Sequence, residues 1–525
     1  MTGKDVKPVL QKHTFHVPNV FSRLEERGNV TYQPLGQEEE EEGEEGRGEG
    51  VPLQTNGDGD ADTRILEGVE YTTGWAQSPL LAKVYIQASF VLLGAAVLLP
   101  FNAIITPTEY YRSILNGTKQ ENSFMSWIIL VYNISSIGFG AHATASMPNN
   151  SIKRRIFSSM VVIISILIFS TILTAITAQG NKSYSTTFTL PVILLLTLII
   201  SAATSYLQLA VVTLSNAYGP RCLGLMLTGQ GVVGAGASYT QLIITYVSIG
   251  TTHTSVIDNG GAAKVAVNFF IANSILMIVA LYSYWRLTRS KIYKEMEESM
   301  TNKVNLELSQ EASTEGVTQP PASASPIRKY MNSSMEALYD RIMEVQRKTI
   351  LSCFTIAYIF VITLAVFPSL TSRVRPEAAT KSKSISTLAF VAWHFVAFNT
   401  SDLIGRTLPT IAPSLFCFQR IEYVSIASLL RTALIPLLSL CNLERASPIG
   451  IGDSSNTLGS FAFFFLVIVL GATNGLLATN TFIIGPRSPD LINERQRGLA
   501  AGLISWWLTF GLSIGSFASF FIGQA

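Results

Sequence analysis

Apolar residues recur along this chain in runs of roughly 18 or more, the length a bilayer core asks of a helix, with polar residues gathered between them. About eleven runs lie near 82–106, 123–147, 156–178, 188–215, 222–249, 265–287, 348–370, 384–411, 421–443, 458–484 and 499–523. Lipid offers no partner to backbone amides, so each run is expected to be a helix, including the β-branched stretch Ile193–Ile200. The eighth run breaks the pattern by placing Asn399, Asp402 and Arg406 in its middle. One ionised side chain at that depth costs roughly 2.5–3.5 kcal/mol even on the mildest insertion scale. At 100° per residue, Phe395, Asn399, Asp402 and Arg406 share an arc of about 60°, a stripe for a protein interior and not for lipid. Asp402 precedes Arg406 by one turn, so the two can neutralise each other.

Polar stretches divide the runs. Residues 1–80 hold the glutamate run Glu38–Glu42 and a Gly-Asp patch at Gly57–Asp60, and such a segment is expected to stay disordered. With no short apolar core and cleavage site ahead of the first span, the N-terminus starts in the cytosol. Lys153, Arg154, Arg155, Arg487, Arg495 and Arg497 then fall on the cytosolic side, as the positive-inside rule prefers. The sequons at Asn116 and Asn181 fall outside or in a lumen and are glycosylation candidates. The loop 371–383, with Arg373, Arg375, Lys381 and Lys383, runs against that rule. A cytosolic linker, 288–347, separates six helices at 81–287 from five at 348–525. The expected fold is an all-α polytopic membrane protein in a six-plus-five arrangement, similar to a major-facilitator transporter lacking one helix.

Composition agrees, with 48% hydrophobic and 14% charged residues. The net charge of +2 sums an acidic tail and basic loops and gives no nucleic-acid footprint. Cys222, Cys353, Cys417 and Cys441 lack metal-ligand spacing and read as packing residues. Gly229-Gln230-Gly231-Val232-Val233-Gly234 spells a dinucleotide fingerprint but lies inside an apolar run, where small residues instead let helices approach closely. Gly450-Ile451-Gly452-Asp453 copies an intramembrane protease tetrapeptide without a second aspartate to form a dyad. No enzyme, metal or cofactor is expected.

Other polar residues leave two readings open. Gln208 in the fourth run offers a donor and an acceptor, either to a heterocycle edge or to a neighbouring helix. In the first run Leu98, Phe101, Asn102 and Ile105 share a face of about 100° that lines a cavity or packs against a helix. Arg431 is a gate element or a snorkelling side chain, and His394, about 140° from Asn399, fits packing better than proton relay.

In these motifs the chain resembles the equilibrative nucleoside transporter family. The resemblance rests on Leu98-Leu99-Pro100-Phe101-Asn102, Gln208 ahead of Gly229-Gln230-Gly231, Phe367-Pro368, and the Phe395, Asn399, Asp402, Arg406 pattern. It continues through Ile435-Pro436-Leu437-Leu438, Cys441-Asn442, and Thr473-Asn474-Gly475 to Gly485-Pro486. It implies facilitative movement of nucleosides, and nucleobases as a variant, by alternating access. It also implies that Gln208 meets the base, Asp402 and Arg406 meet or organise the ribose hydroxyls, and Asn399 supports them. Phe101 stands where tryptophan is common, which bears on base selectivity. The alternative is a carrier of organic cations or another polar metabolite, proton-coupled or not. The long acidic tail resembles those of fungal and endolysosomal members, and Tyr32-Gln33-Pro34-Leu35 fits a signal for sorting adaptors. A vacuolar or lysosomal membrane is therefore expected before the plasma membrane.

Overall fold

A computed structural model of the chain describes residues 78–115, 118, 124–146, 151–178, 186–250, 259–299, 302, 326–374, 385–441 and 459–522. Among these residues there is no β-strand. Ten long helices run uninterrupted: α1 (Leu80–Ile105), α2 (Phe124–Ala145), α3 (Ile152–Ala178), α4 (Thr186–Ala217), α5 (Pro220–Gly250), α6 (Asn259–Arg289), α7 (Pro326–Val366), α8 (Ile385–Ile411), and, after a broken α9, α10 (Ser460–Ile484) and α11 (Glu494–Ile522). The broken helix α9 covers Ile421–Ser439. It consists of Ile421–Leu430 and Leu434–Ser439 joined by a tight 3-10 turn, Arg431–Ala433. The acidic tail with Tyr32–Leu35, both sequon asparagines and the Gly450–Asp453 tetrapeptide lie outside the described residues.

Among the described residues nine helices are long and apolar enough to cross a membrane. The other two long ones are α5 and α8, 31 and 27 residues in length. Both exceed the roughly 20 residues a bilayer needs, and glycine, threonine and glutamine in one, and Asn399, Asp402 and Arg406 in the other, dilute their apolar character. They pack against each other, and α5 also packs against α1, so the least apolar helices are among the best enclosed. The outer faces carry the opposite composition. Ile134, Ile275 and Phe517 are more than half exposed, as lipid-facing side chains are. Helix α7 is 41 residues long and runs unbroken through residues 326–347, the C-terminal part of the expected linker.

Most intimate pairings are α7 with α11, α8 with α10, α5 with α8, and α1 with α5. Without a hydrophobic drive between helices in lipid, such contacts depend on close packing, which small residues permit. A Cβ at Gly229 would collide with backbone atoms of Val91 and Ala95, and one at Gly94 with the backbone of Met226, so α1 and α5 touch main chain to main chain. The glycine stripe of α5 is thus a packing surface, as its position inside an apolar run implied. Across α8 and α10 the same holds at Gly475, where a Cβ would meet the Asp402 carbonyl oxygen and the Arg406 amide nitrogen.

Gly475→Ala is expected to push α10 away from α8 at a cost of about 1–3 kcal/mol, whereas Gly236→Ala, with open space around it, leaves stability unchanged. Thermal melts of the two detergent-solubilised variants check this; equal melting temperatures would mean the helices part more easily than their packing implies.

Candidate functional site

The stripe on α8 is enclosed by α5 on one side and α10 on the other. Asp402 and Arg406 are both buried, at 6% and 7% exposure, so neither charge is left to lipid or to bulk water. Arg406 Nε donates to Asp402 Oδ2 at 2.7 Å, and Asn474 Nδ2 of α10 donates to Asp402 Oδ1 at 2.7 Å. Both carboxylate oxygens therefore accept a bond from a donor, the arrangement an ionised acid needs away from water. Arg406 Nη1 reaches Gln230 Oε1 of α5 at 3.4 Å, a long bond that holds loosely. Gly231 and Gly234 of α5 lie against the Arg406 stem and the Asn399 amide oxygen, leaving room for the stripe between helices.

Behind Asn474 the network continues. Thr363 of α7 donates to Asn474 Oδ1 at 2.8 Å and accepts from Arg431 Nη2 at 2.8 Å. Arg431 also donates to the Ile359 and Leu470 carbonyls at 2.9 and 3.2 Å and to Thr473 Oγ1 at 3.1 Å. At 3% exposure it does not snorkel, and the 3-10 turn of α9 aims it inward. Sequence reasoning gave no role to Gln230, Asn474 or Thr363. Gln230 and Asn474 stood only inside the family-like motifs Gly229-Gln230-Gly231 and Thr473-Asn474-Gly475, and Thr363 was a lone hydroxyl in an apolar run.

The remaining candidates gather elsewhere. Asn399 Nδ2 donates to the Phe395 carbonyl on its own helix at 3.0 Å, so it is Asn474, not Asn399, that bonds Asp402. Phe395 packs edge-on against Phe367 at 5.1 Å. His394 is fully buried, edge-on to Phe367 and 3.3 Å from the Thr371 hydroxyl, in keeping with packing. Gln208 Nε2 donates to Ser505 Oγ of α11 at 2.9 Å, which realises the helix-to-helix reading while leaving its carbonyl oxygen without a protein donor among the described residues. Phe101 meets Tyr132 of α2 with ring centroids 4.7 Å apart. Asn102 Nδ2 donates to the Leu98 carbonyl at 3.1 Å, and Leu98 and Ile105 are half-buried. Among the described residues no hydrogen bond joins Gln208 or Asn102 to the Asp402 network.

All four cysteines are free. Cys417, in the loop before α9, donates to the Pro409 carbonyl at 3.5 Å, and burial pushes its thiol above the ordinary range, with Arg487 opposing. Among the described residues no group of His, Cys, Asp or Glu could hold a metal ion.

A buried carboxylate bonded from two sides, inside an all-helical bundle, marks a functional site without saying which, and the comparison with known families decides it. The model of the nucleoside transporter family matches residues 193–524. The chain belongs to that family. Equilibrative nucleoside transporter 1 of Rattus norvegicus is 24% identical over 455 residues, covering 82% of this chain and 95% of its own. Equilibrative nucleoside transporter 2 of Homo sapiens is 21% identical over 465 residues, with the same coverage. Adenosine transporter 1 of Crithidia fasciculata is 22% identical over 500 residues, 83% of this chain and 93% of its own. Among solved structures, a double-tryptophan mutant of XylE overlays with a TM-score of 0.52 at 12% identity, covering 84% of this chain and 94% of that one. The proton:xylose symporter XylE bound to 6-bromo-6-deoxy-D-glucose overlays at 0.50, also at 12% identity, covering 88% of each chain. This nucleoside transporter family member therefore has the major-facilitator fold and is a carrier, not an enzyme.

Asp402→Asn strands the buried Arg406 guanidinium and is expected to cost about 3–5 kcal/mol, with much of that recovered when Arg406→Gln is added. Asn399→Ala, which loses only a bond within its own helix, should cost about 1 kcal/mol or less. Melting curves of the three proteins test the ranking; a single mutant as stable as the wild type would remove the carboxylate from the centre of the network.

Proposed function

We propose that the nucleoside is held in the cleft that α8 presents to α5, with its ribose hydroxyls on Asp402 and Arg406 and its base toward Gln208 and Phe101. The family relationship makes the chain a facilitative nucleoside transporter and an integral multi-pass membrane protein. Alternating access would come from rocking of the two proposed helical groups, residues 81–287 and 348–525, about the site. The observation that carries the assignment of the site is the state of Arg406. Its Nε and Nη1 are committed to Asp402 and Gln230, while Nη2 donates to no group among the described residues. A fixed guanidinium with an unused arm suits a vicinal pair of hydroxyls, and the long bond to Gln230 can open for the same purpose. An uncharged sugar bound by a few such groups in an apolar cleft can also leave, which transport requires. Organic cations fit less well, because the described network contains two guanidinium groups and one carboxylate and so repels positive charge.

Arg406→Ala is expected to abolish uridine and adenosine uptake into proteoliposomes while insertion and monomeric elution persist. Arg406→Lys should retain little, since an ammonium cannot reproduce the planar fork. Normal flux through a correctly inserted Arg406→Ala protein would move the ribose elsewhere. Phe101→Trp enlarges the ring beside Tyr132 and adds a donor, so the ratio of adenosine to uridine uptake should shift; identical ratios would place Phe101 outside the cleft.

We further propose a vacuolar or lysosomal membrane as the site of action. The support is the acidic tail and Tyr32-Gln33-Pro34-Leu35, a short pattern that sorting adaptors read in extended chain. Asn116 and Asn181 are the proposed glycan acceptors. Deleting residues 1–75 touches no helix described here and should move a fluorescent fusion to the cell surface; an intact fusion already at the surface would overturn the proposal.

A further inference from the structure

Arg431 is buried with no carboxylate against it among the described residues, and its bonded acceptors are two carbonyls and two hydroxyls on α7 and α10. Placing a guanidinium there is costly, so its retention asks for a function beyond filling space. Its link to Asp402 runs through two side chains and not by contact. Between them lie Thr363 and Asn474, 3% and 2% exposed, which form an unbroken line of hydrogen bonds.

We propose that Arg431 is a positioning residue for Asp402, acting through Thr363 and Asn474 to hold the carboxylate in the orientation that receives the ribose hydroxyls. The proposal rests on the ribose reading given above. Its basis is the direction of each bond. Arginine only donates, so the bond from Nη2 occupies a lone pair of Thr363 Oγ1. The hydroxyl hydrogen then has two acceptors in reach, the Ile359 carbonyl at 2.7 Å and Asn474 Oδ1 at 2.8 Å. Arg431 Nη1 already donates to that same Ile359 carbonyl, which favours the hydroxyl's turn toward Asn474. With its oxygen so engaged, the Asn474 amide can present only its NH2 group to Asp402 Oδ1. A flipped amide would set a carbonyl oxygen against a carboxylate and release the acid from its place. The line thus passes orientation one way, from a side chain fixed by α7 and α10 to one that meets substrate.

The test compares uridine with 2′,3′-dideoxyuridine, which lacks the hydroxyls that Asp402 would hold, in proteoliposomes containing Thr363→Val, Thr363→Ser or the wild type. Thr363→Val removes the relay hydroxyl but leaves Arg431 on the Ile359 and Leu470 carbonyls and on Thr473. The KM for uridine should rise about tenfold with Vmax within about twofold, the loss of one hydrogen bond's worth of orientation. Thr363→Ser should restore the wild-type value, and dideoxyuridine should show the same weak KM in all three proteins. Arg431→Lys gives a second arm, because one ammonium cannot serve acceptors on both helices, and it should raise the uridine KM alone. An equal rise for both substrates, or none for uridine, would make Arg431 a purely structural brace and overturn the proposal. A wild-type protein that takes up the dideoxy compound as well as uridine would instead show that the ribose reading itself is wrong, and the positioning role would fall with it.

Discussion

A carboxylate inside a bilayer must have a donor for each oxygen, and at Asp402 those donors come from two places: Arg406 one turn along its own helix and Asn474 on α10. The second donor sets terms for the surrounding helices. A 2.7 Å bond from a short side chain on α10 requires the two helix axes to be close, and Gly475, beside Asn474, has its Cα against the backbone of Asp402 and Arg406. On the other flank Gly231 and Gly234 clear the space that Arg406 and Asn399 occupy. The charged pair and the small residues are therefore two halves of one requirement, because the pair is tolerable only where neighbouring helices come near enough to solvate it.

The two ends of the network are bound with unequal firmness. On the α7, α9 and α10 side every bond from Arg431 to Asp402 is 3.2 Å or shorter, giving those helices a common polar core. Toward α5 the single bond from Arg406 to Gln230 is 3.4 Å. Close packing still joins α5 to α8, so the difference lies in the polar bonds alone: those toward α7, α9 and α10 are shorter and more numerous than the one toward α5. The bond from Gln208 to Ser505 adds a polar tie between α4 and α11, which also pack at Gly502 against Leu209.

Much of the fold could be read from period and length. Runs of apolar residues located the helices closely, because the membrane leaves few alternatives, and the polar arc on α8 was visible from spacing alone. Periodicity assigns a face but does not say what stands opposite it. Gln230 and Asn474 stood in family-like motifs without an assigned partner, and only the packing of α5 and α10 against α8 reveals that both address the same ion pair. Arg431 was ambiguous for the same reason: a break in α9 turns it inward, and the local sequence does not announce the 3-10 turn. Gln208 stood between two readings that differ only in its partner, and Ser505 lies 297 residues away. The start of α7 was legible in part: Glu336–Arg347 reads as a charged helical end of the linker, but its continuity with the next span, and its extension back to residue 326, do not show in the sequence.

That continuation has a mechanical consequence. At 1.5 Å per residue, a helix of 41 residues is about 60 Å long, roughly twice the hydrocarbon thickness. Its Thr363 is bonded to the network near one end, while the other end carries the charged residues Asp340, Arg341, Glu344 and Arg347. With the helix pivoting near Thr363, a tilt of about 10° would sweep residue 338, some 25 positions away, through about 6–7 Å. A rearrangement small enough to preserve the bonds around Asp402 is thus magnified at the charged end of α7, which makes the helix a pointer whose far end moves with the network.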